Sequence, residues 1–287
     1  SIIESLPYDR PNTAMKHFSM CEKCQKEYDN PLDRRFHAQP NACPDCGPRV
    51  QLWDNKGKVL TEKEEALEMV VQRINNGEVI AIKGLGGFHL VVNAQDIKAV
   101  SKLRRRKNRD EKPFALMFPN IESIKFECKV SQNEEQLIHS SESPIVILDK
   151  LSSGQSNLAE NVAPGNPSLG VMLPYTPLHY VLMQLLGKPI VATSGNLSDE
   201  PICIDEIEAL DRLKHITDCF LVHNRPIVRQ VDDSLVRIVK NRELVLRRSR
   251  GYAPLPVMLK TRAVSMLAVG AHQKNCVALN IENRVFI

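Results

Sequence analysis

The chain has 287 residues, of which 43% are hydrophobic and 25% are charged, and this balance excludes a disordered, collagen-like or fibrous protein. No apolar run approaches the roughly 18 residues that cross a bilayer, so we expect no membrane partner. The net charge of +4 favours a polyanionic ligand such as a nucleotide or RNA, without requiring one.

The first predicted unit, residues 1–55, is rich in Pro, Cys, Asn and Asp and lacks the apolar periodicity that builds a core. Cys21 and Cys24 form one CxxC pair, and Cys43 and Cys46 form a second. Two such pairs are typical of zinc knuckles that close around one tetrahedral ion. Because four thiolates leave no open position for a substrate, we predict a structural zinc site that stabilises this zinc-finger segment.

The other cysteines and one histidine give weaker signals. His37 lies between the two CxxC pairs and could replace one ligand, although a place outside the ligand set is the preferred interpretation. Cys128, Cys203, Cys219 and Cys276 stand alone, and we expect ordinary buried thiols. With eight cysteines and no secretory signal at its start, the chain is expected to be cytoplasmic and free of disulfides.

From residue 56 the pattern changes to alternating helices and strands. Thr61 to Glu64 fit a capping box, and apolar residues then recur at helical spacing until Asn76-Gly77 ends the helix. Strand-like runs at 78–83 and 89–93 enclose a glycine-rich turn, and the pattern at 96–107 predicts a basic helix. Further strands are predicted at 113–117, 145–148, 169–173, 189–192 and 219–222, with helices at 121–126, 133–139, 178–186 and 207–213.

This alternation predicts an α/β (α+β) domain, a twisted mixed sheet with flanking helices, over residues 56–262. Residues 263–287 predict two strands joined by a turn at Glu282-Asn283, and we interpret them as the truncated start of another domain. The chain starts at Ser1 rather than Met and stops abruptly after a strand, which indicates a piece of a longer protein.

Basic residues near the glycine-rich turn and after the basic helix are candidates for binding phosphate groups. Lys107, Arg109 and Lys112 close a basic run, which on charge alone is more typical of a solvated helix face. Lys83 ends an apolar strand and enters the turn at 84–87, where missing side chains let a ligand approach the backbone. The segment matches neither a P-loop nor a dinucleotide fingerprint.

Polar clusters follow later strands of the predicted sheet. Ser194 and Asn196 come after the strand at 189–192, at the carboxyl end where α/β sheets commonly bind ligands. Three further polar clusters beside strand-like runs contain Arg225, Ser234 and Arg248. Convergence of these clusters would create a site for a polyanion.

Together these motifs resemble the YrdC family, whose sheet-based fold binds ATP in a positively charged cavity and forms carbamoyl-type adenylates. The family's Lys-x-Arg, Lys-Pro and Ser-x-Asn elements, and its late Ser and Arg, are similar to Lys107-x-Arg109, Lys112-Pro113, Ser194-x-Asn196, Ser234 and Arg248. Where YrdC proteins have a Thr-rich strand end, this chain has Lys-Gly-Leu-Gly-Gly-Phe-His at 83–89, which indicates a particular branch.

That branch is the HypF family of NiFe-hydrogenase maturation carbamoyltransferases, which the chain resembles over essentially its whole length. The resemblance rests on residues 1–11, 33–40, 43–48, 83–89 and 248–252. It implies a zinc knuckle pair, a YrdC-like ATP-binding domain and, from the turn at 270–275, the start of a Kae-like transferase domain.

The resemblance also implies a function. Carbamoyl phosphate yields carbamate, carbamate and Mg-ATP form carbamoyl-adenylate, and the carbamoyl group passes to the C-terminal cysteine of HypE for cyanide ligand synthesis. The expected nucleotide and adenylate ligands are Lys83, Lys107, Arg109, Lys112, Ser194, Asn196, Arg225, Ser234 and Arg248. The phosphates would hold the magnesium, with Asp232-Asp233 as a weak candidate and a surface turn as an equal alternative for that pair.

Three alternatives stay open. Zinc knuckles beside basic clusters are also typical of RNA-binding modules, and YrdC relatives have been linked to double-stranded RNA, although 5% aromatic residues offer few stacking platforms. A second alternative is a threonylcarbamoyl-adenylate synthase, against which the zinc segment and residues 83–89 argue. A third is a structural docking module for HypE, which predicts loss of nucleotide binding.

Overall fold

The computed structural model describes residues 2–151, 156–197, 200–270 and 276–287. The helices are α1 (Glu22–Asp29), α2 (Lys63–Asn75), α3 (Ile97–Lys107), α4 (Ile121–Glu127), α5 (Gln132–Ile138), α6 (Pro177–Leu186) and α7 (Glu206–Leu213). The strands are β1 (Val50–Asp54), β2 (Val59–Glu62), β3 (Ile80–Lys83), β4 (Phe88–Asn93), β5 (Ala115–Met117), β6 (Ile145–Asp149), β7 (Ser168–Met172), β8 (Ile190–Ser194), β9 (Cys219–His223), β10 (Leu235–Val239), β11 (Arg242–Arg247), β12 (Val257–Met258), β13 (Met266–Val269), β14 (Val277–Ile281) and β15 (Arg284–Phe286). Within these ranges, no helix combines the length and apolar character needed to cross a membrane.

One large sheet organises the molecule. Its 11 strands lie in the order β11-β10-β6-β7-β5-β8-β4-β3-β9-β1-β2. The pairs β3–β9, β5–β7 and β6–β10 are parallel, whereas the other neighbours run antiparallel. The predicted α/β architecture with a mixed sheet is therefore confirmed.

Helices cover both faces of this sheet because its central strands are apolar on both sides. In β4, Phe88 and Leu90 pack into the cluster that α3, α4, α5 and α7 share, whereas Val91 packs into the cluster that α2 and α6 share. All residues of β4 are buried. The sheet is thus the middle layer between two apolar cores.

The helix expected after residue 60 starts differently from its prediction. The capping box at Thr61 to Glu64 is wrong, because Thr61 lies in β2 opposite Leu52 and donates its hydroxyl to Glu65 at 2.9 Å. Pairing with β1 keeps the backbone extended as far as Glu62, so α2 begins at Lys63 without a side-chain cap. The predicted end at Asn76-Gly77 is confirmed.

The last segment holds more strands than predicted. β13, β14 and β15 replace the two expected strands, and they join β12 in a sheet of order β12-β15-β14-β13. The turn at Glu282-Asn283 joins β14 to β15 as predicted. Residues 271–275 of the predicted opening turn lie outside the described residues. Cys276 is exposed rather than buried, whereas Cys128, Cys203 and Cys219 are buried as expected.

Strand β1 connects the N-terminal segment to the large sheet. It pairs with β9 from Val50 opposite His223 to Asp54 opposite Cys219, and with β2 on its other side. Leu52 in its centre is completely buried. The boundary predicted at residue 55 therefore falls between two paired strands.

Candidate functional site

Four cysteine thiols come together in the N-terminal segment. The Sγ–Sγ distance is 3.8 Å between Cys21 and Cys43, 3.7 Å between Cys43 and Cys46, and 3.7 Å between Cys24 and Cys46. All four sulfur atoms lie within 4.8 Å of one another. Since a tetrahedron of thiolates about 2.3 Å from zinc has edges of about 3.8 Å, this donor set fits one zinc ion.

Local structure fixes two thiols of this cluster, and the surroundings shift the pKa values of two cysteines in opposite directions. Cys21 precedes α1 and Cys24 lies in its first turn, so the helix fixes both thiols of the first pair. Burial raises the pKa of Cys24 to about 12. At Cys46 burial acts in the same direction, but hydrogen bonds with the backbone of Cys21 and Cys43 outweigh it and lower the pKa to about 6. His37 packs on the rings of Tyr28 and Phe36, with centroids 4.9 and 4.5 Å away.

A second site is a cleft of about 250 Å³ over the large sheet. Strands β5, β6, β7, β8 and β10 contribute small and apolar residues to its lining. Its polar lining includes Arg109, Lys112, Asn166, Ser168, Thr193, Ser194, Asp232, Asp233 and Arg247. Three of the predicted nucleotide ligands, Arg109, Lys112 and Ser194, therefore meet in one cleft.

Arg109 brings an uncompensated charge to this cleft. Its Nη1 donates to the Thr193 hydroxyl at 3.2 Å and its Nε to the Lys112 carbonyl at 3.1 Å, while the guanidinium lies 4.8 Å from the Phe114 ring centroid. None of the ion pairs among the described residues includes Arg109. Burial and the guanidinium groups of Arg104 and Arg247 lower its pKa to about 10, so it stays protonated at neutral pH and favours an anion nearby.

Lys107 and Asn196 form a support under the cleft. The Lys107 ammonium, buried at the end of α3, donates to the Ser194 carbonyl and to the Asn196 carbonyl and Oδ1, the last two at 2.9 and 3.0 Å. The Ser194 hydroxyl donates to Asn196 Oδ1 at 2.7 Å, and Asn196 Nδ2 donates to the Glu200 carbonyl at 2.7 Å. These bonds fix the turn that presents Ser194 to the cleft.

Ser234 and Arg248 lie beside the cleft and do not line it. Ser234 is fully buried, donates its hydroxyl to the Arg250 carbonyl at 2.8 Å and accepts from the Ser249 amide at 2.8 Å. Arg248 donates to the carbonyls of Tyr252, at 2.9 Å, and Leu255. Ser234 thus connects the start of β10 to the segment after β11, whereas the bonds of Arg248 lie within that segment.

Lys83 and Arg225 lie in a different place, under the glycine-rich turn. Lys83 is 2% exposed, and its ammonium is bonded to the Glu206 carboxylate and, at 3.1 Å, to the His223 carbonyl. Burial and the charges of Lys83 and Arg225 lower the pKa of His223 to about 4. The structure does not place either basic residue in the lining of the cleft.

Arg247 and the acidic pair Asp232-Asp233 lie in the lining of the cleft, although the sequence pattern gave only a weak signal for them. Arg247 lines the cleft and donates to Asp232 at 2.7 Å. Because neighbouring residues at the end of a strand point to opposite sides, one of Arg247 and Arg248 had to face the cleft, but the sequence could not show which. Asp233 is buried, so the surface-turn alternative is wrong for it. Its carboxylate accepts from Arg250 at 2.9 Å.

Comparison with known families matches two parts of the chain. The HypF finger family matches residues 20–53. The Sua5–YciO–YrdC family, which carries the description telomere recombination, matches residues 72–249. The first match contains the four-cysteine cluster and the second contains the residues that line the cleft.

Individual relatives cover the whole chain. The carbamoyltransferase HypF of Synechocystis sp. is 53% identical over 288 residues, which include 100% of this chain and 37% of the relative. A crystal structure described as full-length HypF in the phosphate- and nucleotide-bound form has a TM-score of 0.92 and 49% identity, and covers 100% of this chain and 37% of that one.

A more distant relative covers only part of the chain. The threonylcarbamoyl-AMP synthase of Rattus norvegicus is 27% identical over 154 residues, which are 53% of this chain and 54% of the relative. By comparison, the chain matches the Synechocystis relative over its whole length but spans only 37% of the length of that relative.

Proposed function

This chain belongs to the HypF family of carbamoyltransferases, with a HypF finger and a YrdC-type domain, and from that premise we propose that it activates carbamate with ATP. The cleft over the large sheet would hold the nucleotide. The product would be carbamoyl-adenylate, released together with pyrophosphate.

The observation that carries this proposal is the charge arrangement of the cleft. The guanidinium of Arg109 has no ion-pair partner among the described residues, and Lys112 stands exposed at the rim. Hydroxyl groups of Thr193 and Ser194 line the same space. Cations and hydroxyls around an apolar floor suit a triphosphate and a nucleoside, and a relative with 49% identity has been solved in a nucleotide-bound form.

The chemistry requires positioning more than covalent work by the protein. A carboxylate oxygen of carbamate attacks the α-phosphorus of ATP, and the bond from that phosphorus to the β-bridging oxygen breaks. Pyrophosphate leaves with the electron pair and no proton is transferred. Arg109 and Lys112 would neutralise the departing pyrophosphate, and Ser194, held by Lys107 and Asn196, would orient the α-phosphate.

The two metals would have different places. Zinc would be held by Cys21, Cys24, Cys43 and Cys46 and would stabilise the N-terminal segment. Magnesium would enter on the phosphates, because Asp232 and Asp233 are already paired with arginines and the cysteine cluster is the potential metal site found among the described residues.

For the whole protein we propose the remaining steps of the family reaction. Carbamoyl phosphate would be the source of carbamate, and the carbamoyl group would pass to the C-terminal cysteine of HypE. A cytoplasmic location stays a prediction, and so does the direct contact of Lys83, Arg225, Ser234 and Arg248 with the adenylate.

Calorimetric titration of the zinc-loaded chain with Mg-ATP tests the proposal. We expect saturable one-site binding that Lys112→Ala and Ser194→Ala each weaken by about tenfold, whereas Lys98→Ala, an exposed lysine of α3, leaves it unchanged. Absence of binding by a folded sample would contradict the proposal. A steep fall of double-stranded RNA affinity with salt, without ATP binding, would favour the RNA-binding alternative instead.

A further inference from the structure

A small cavity adjoins the nucleotide cleft. Its volume is about 10 Å³, room for about one water-sized group. Asp232 and Asp233 line both spaces, so the cleft and the cavity meet at these two residues. The glycine-rich turn, through Gly86 and Gly87, and the side chains of Ile202 and Val231 supply other walls.

Close packing of the turn keeps this cavity small. The Val231 amide donates to the Gly86 carbonyl at 3.0 Å, and a Cβ added at Gly86 would overlap Val231. A Cβ added at Gly87 would overlap the Cγ2 atom of Ile202, which is 8% exposed. The glycines therefore let two branched side chains approach the turn and narrow the space beside it.

The cavity also has a polar side. His89, 8% exposed, lines it and contacts Asp233 Oδ2 through Nε2 at 3.2 Å. The Nδ1 atom of His89 is buried and has no hydrogen-bond partner within the described residues. Arg250 holds the other oxygen of Asp233 at 2.9 Å. Since a carboxylate has about four lone-pair sites, Asp233 can also accept from an N–H group of a ligand in the cavity.

We propose that this cavity receives the amino group of carbamate and excludes carbamates with a substituent on nitrogen, with Ile202 and Val231 as the residues that determine this specificity. The inference rests on the proposed function and deepens it. The carboxylate of carbamate faces the α-phosphate in the cleft, while its amino group, a single heavy atom, occupies the cavity beside Asp233 and His89.

Size explains the selectivity. An N-alkyl carbamate needs at least one more heavy atom in a space that holds one water-sized group. The adenylation step itself is the same for both substrates, since an oxygen attacks phosphorus and pyrophosphate leaves. The cavity would thus reject the N-carboxylated amino acid that a threonylcarbamoyl-adenylate synthase activates, although that class shares the fold.

The test is ATP–pyrophosphate exchange by this chain with two acid substrates formed in solution. Ammonium bicarbonate supplies carbamate, and methylamine with bicarbonate supplies N-methylcarbamate. We expect the wild type to prefer carbamate by roughly tenfold or more, and Ile202→Ala to reduce that preference by about tenfold through a gain with N-methylcarbamate. Val231→Ala should also reduce the preference for carbamate, and it replaces Ile202→Ala in the test if that variant does not fold.

Ile121→Ala is the matched control, because Ile121 is also 8% exposed and lines neither space. Its preference should equal that of the wild type. The inference is overturned if the wild type uses both carbamates equally, or if both widened variants keep carbamate exchange without gaining N-methylcarbamate exchange. Absence of carbamate exchange by a wild type that binds ATP would instead refute the adenylation reaction, and the inference with it.

Discussion

At the scale of single residues, Lys107 supports the proposed nucleotide cleft without lining it. Its ammonium donates hydrogen bonds to three oxygen atoms: the carbonyls of Ser194 and Asn196 and Oδ1 of Asn196. It is 7% exposed and lies outside the lining of the cleft. Its contribution to nucleotide binding should therefore pass through the turn at 194–196.

The variant Lys107→Met tests this role. It removes the ammonium from the carbonyls of Ser194 and Asn196, while Asn196 Oδ1 keeps the Ser194 hydroxyl as a donor, so we expect the free energy of unfolding to fall by about 2–4 kcal/mol in urea denaturation. Affinity for Mg-ATP should fall as well, because Ser194 loses its support. Lys98→Met, an exposed lysine on the same helix, should change neither quantity. Lost affinity at unchanged stability would instead indicate direct phosphate contact.

His179 links stability to pH. It is buried on α6, and burial together with the charges of His89, Arg250 and His223 lowers its pKa to about 3, against the attraction of Asp233. In the unfolded chain the group titrates near 6.5. Between these values the unfolded chain binds more protons, so stability is full above pH 6.5 and falls as the pH drops towards 3.

His179→Phe should therefore reduce the acid sensitivity. The Nδ1 atom of His179 has no hydrogen-bond partner within the described residues. Replacing the imidazole by a phenyl ring should therefore lower the free energy of unfolding only slightly at pH 7.5. Between pH 6 and 4 we expect the slope of unfolding free energy to flatten by about 1 kcal/mol per pH unit. Equal slopes in His179→Phe and wild type would refute the assignment, and His215→Phe at an exposed position controls for the added ring.

The sequence predicted correctly those residues whose type and spacing indicate one kind of chemistry. The four cysteines are an example, since two CxxC pairs in a segment without a core are typical of one metal site, and their thiols do lie within 4.8 Å of one another. For Lys83 the sequence could not show the contacts of the ammonium, because a lysine at a strand end is equally compatible with a phosphate and with a buried carboxylate. Glu206, whose carboxylate contacts this ammonium, lies 123 residues away in sequence.

At the scale of elements, the four-cysteine cluster, as the proposed zinc site, should determine whether the N-terminal segment folds. Helix α1 is short and its exposed face is charged, so it gains little stability from propensity alone. Cys43→Ala removes one ligand, and we expect loss of bound zinc and a melting temperature lower by about 5 °C or more. Cys276→Ala, an exposed thiol outside the cluster, should keep the zinc. Full zinc occupancy in Cys43→Ala would contradict the four-thiolate site.

Local sequence predicted the existence of most helices and strands, but tertiary pairing decided their ends. Helix α3 begins after Asp96, whose side chain accepts from the amides of Lys98 and Ala99, as a capping residue does. Thr61 has the same type of capping side chain, but it pairs with Leu52 in a strand and does not cap α2. A cap is a gain of about 1 kcal/mol, which a paired strand readily outweighs.

At the scale of the whole molecule, the order of the large sheet joins distant parts of the chain. β1 ends at residue 54, yet its neighbour β9 starts at residue 219. β2 has β1 as its sheet neighbour, so both depend on the same strand. Such pairings leave no trace in local periodicity, so the sequence could not show that the strands on either side of the predicted boundary at residue 55 pair with each other.

A comparison of two shortened chains tests this architecture. A chain of residues 48–287 keeps β1, whereas a chain of residues 56–287 loses it and exposes the edge of β9. The second chain also loses Leu52, which is completely buried, and the pairing of β2. We expect its melting temperature to be at least about 5 °C below that of the first.

An exposed β9 edge should also change association, because unpaired strand edges recruit other strands. Phe220 to Val222 would form an apolar edge, so size-exclusion chromatography should detect oligomers of the shorter chain that the 48–287 chain does not form. Since β9 runs beside β3 and ends next to the turn at 84–87, the loss should reach the small cavity and weaken carbamate exchange. Equal melting temperatures and equal exchange would show that β1 belongs to the zinc segment alone.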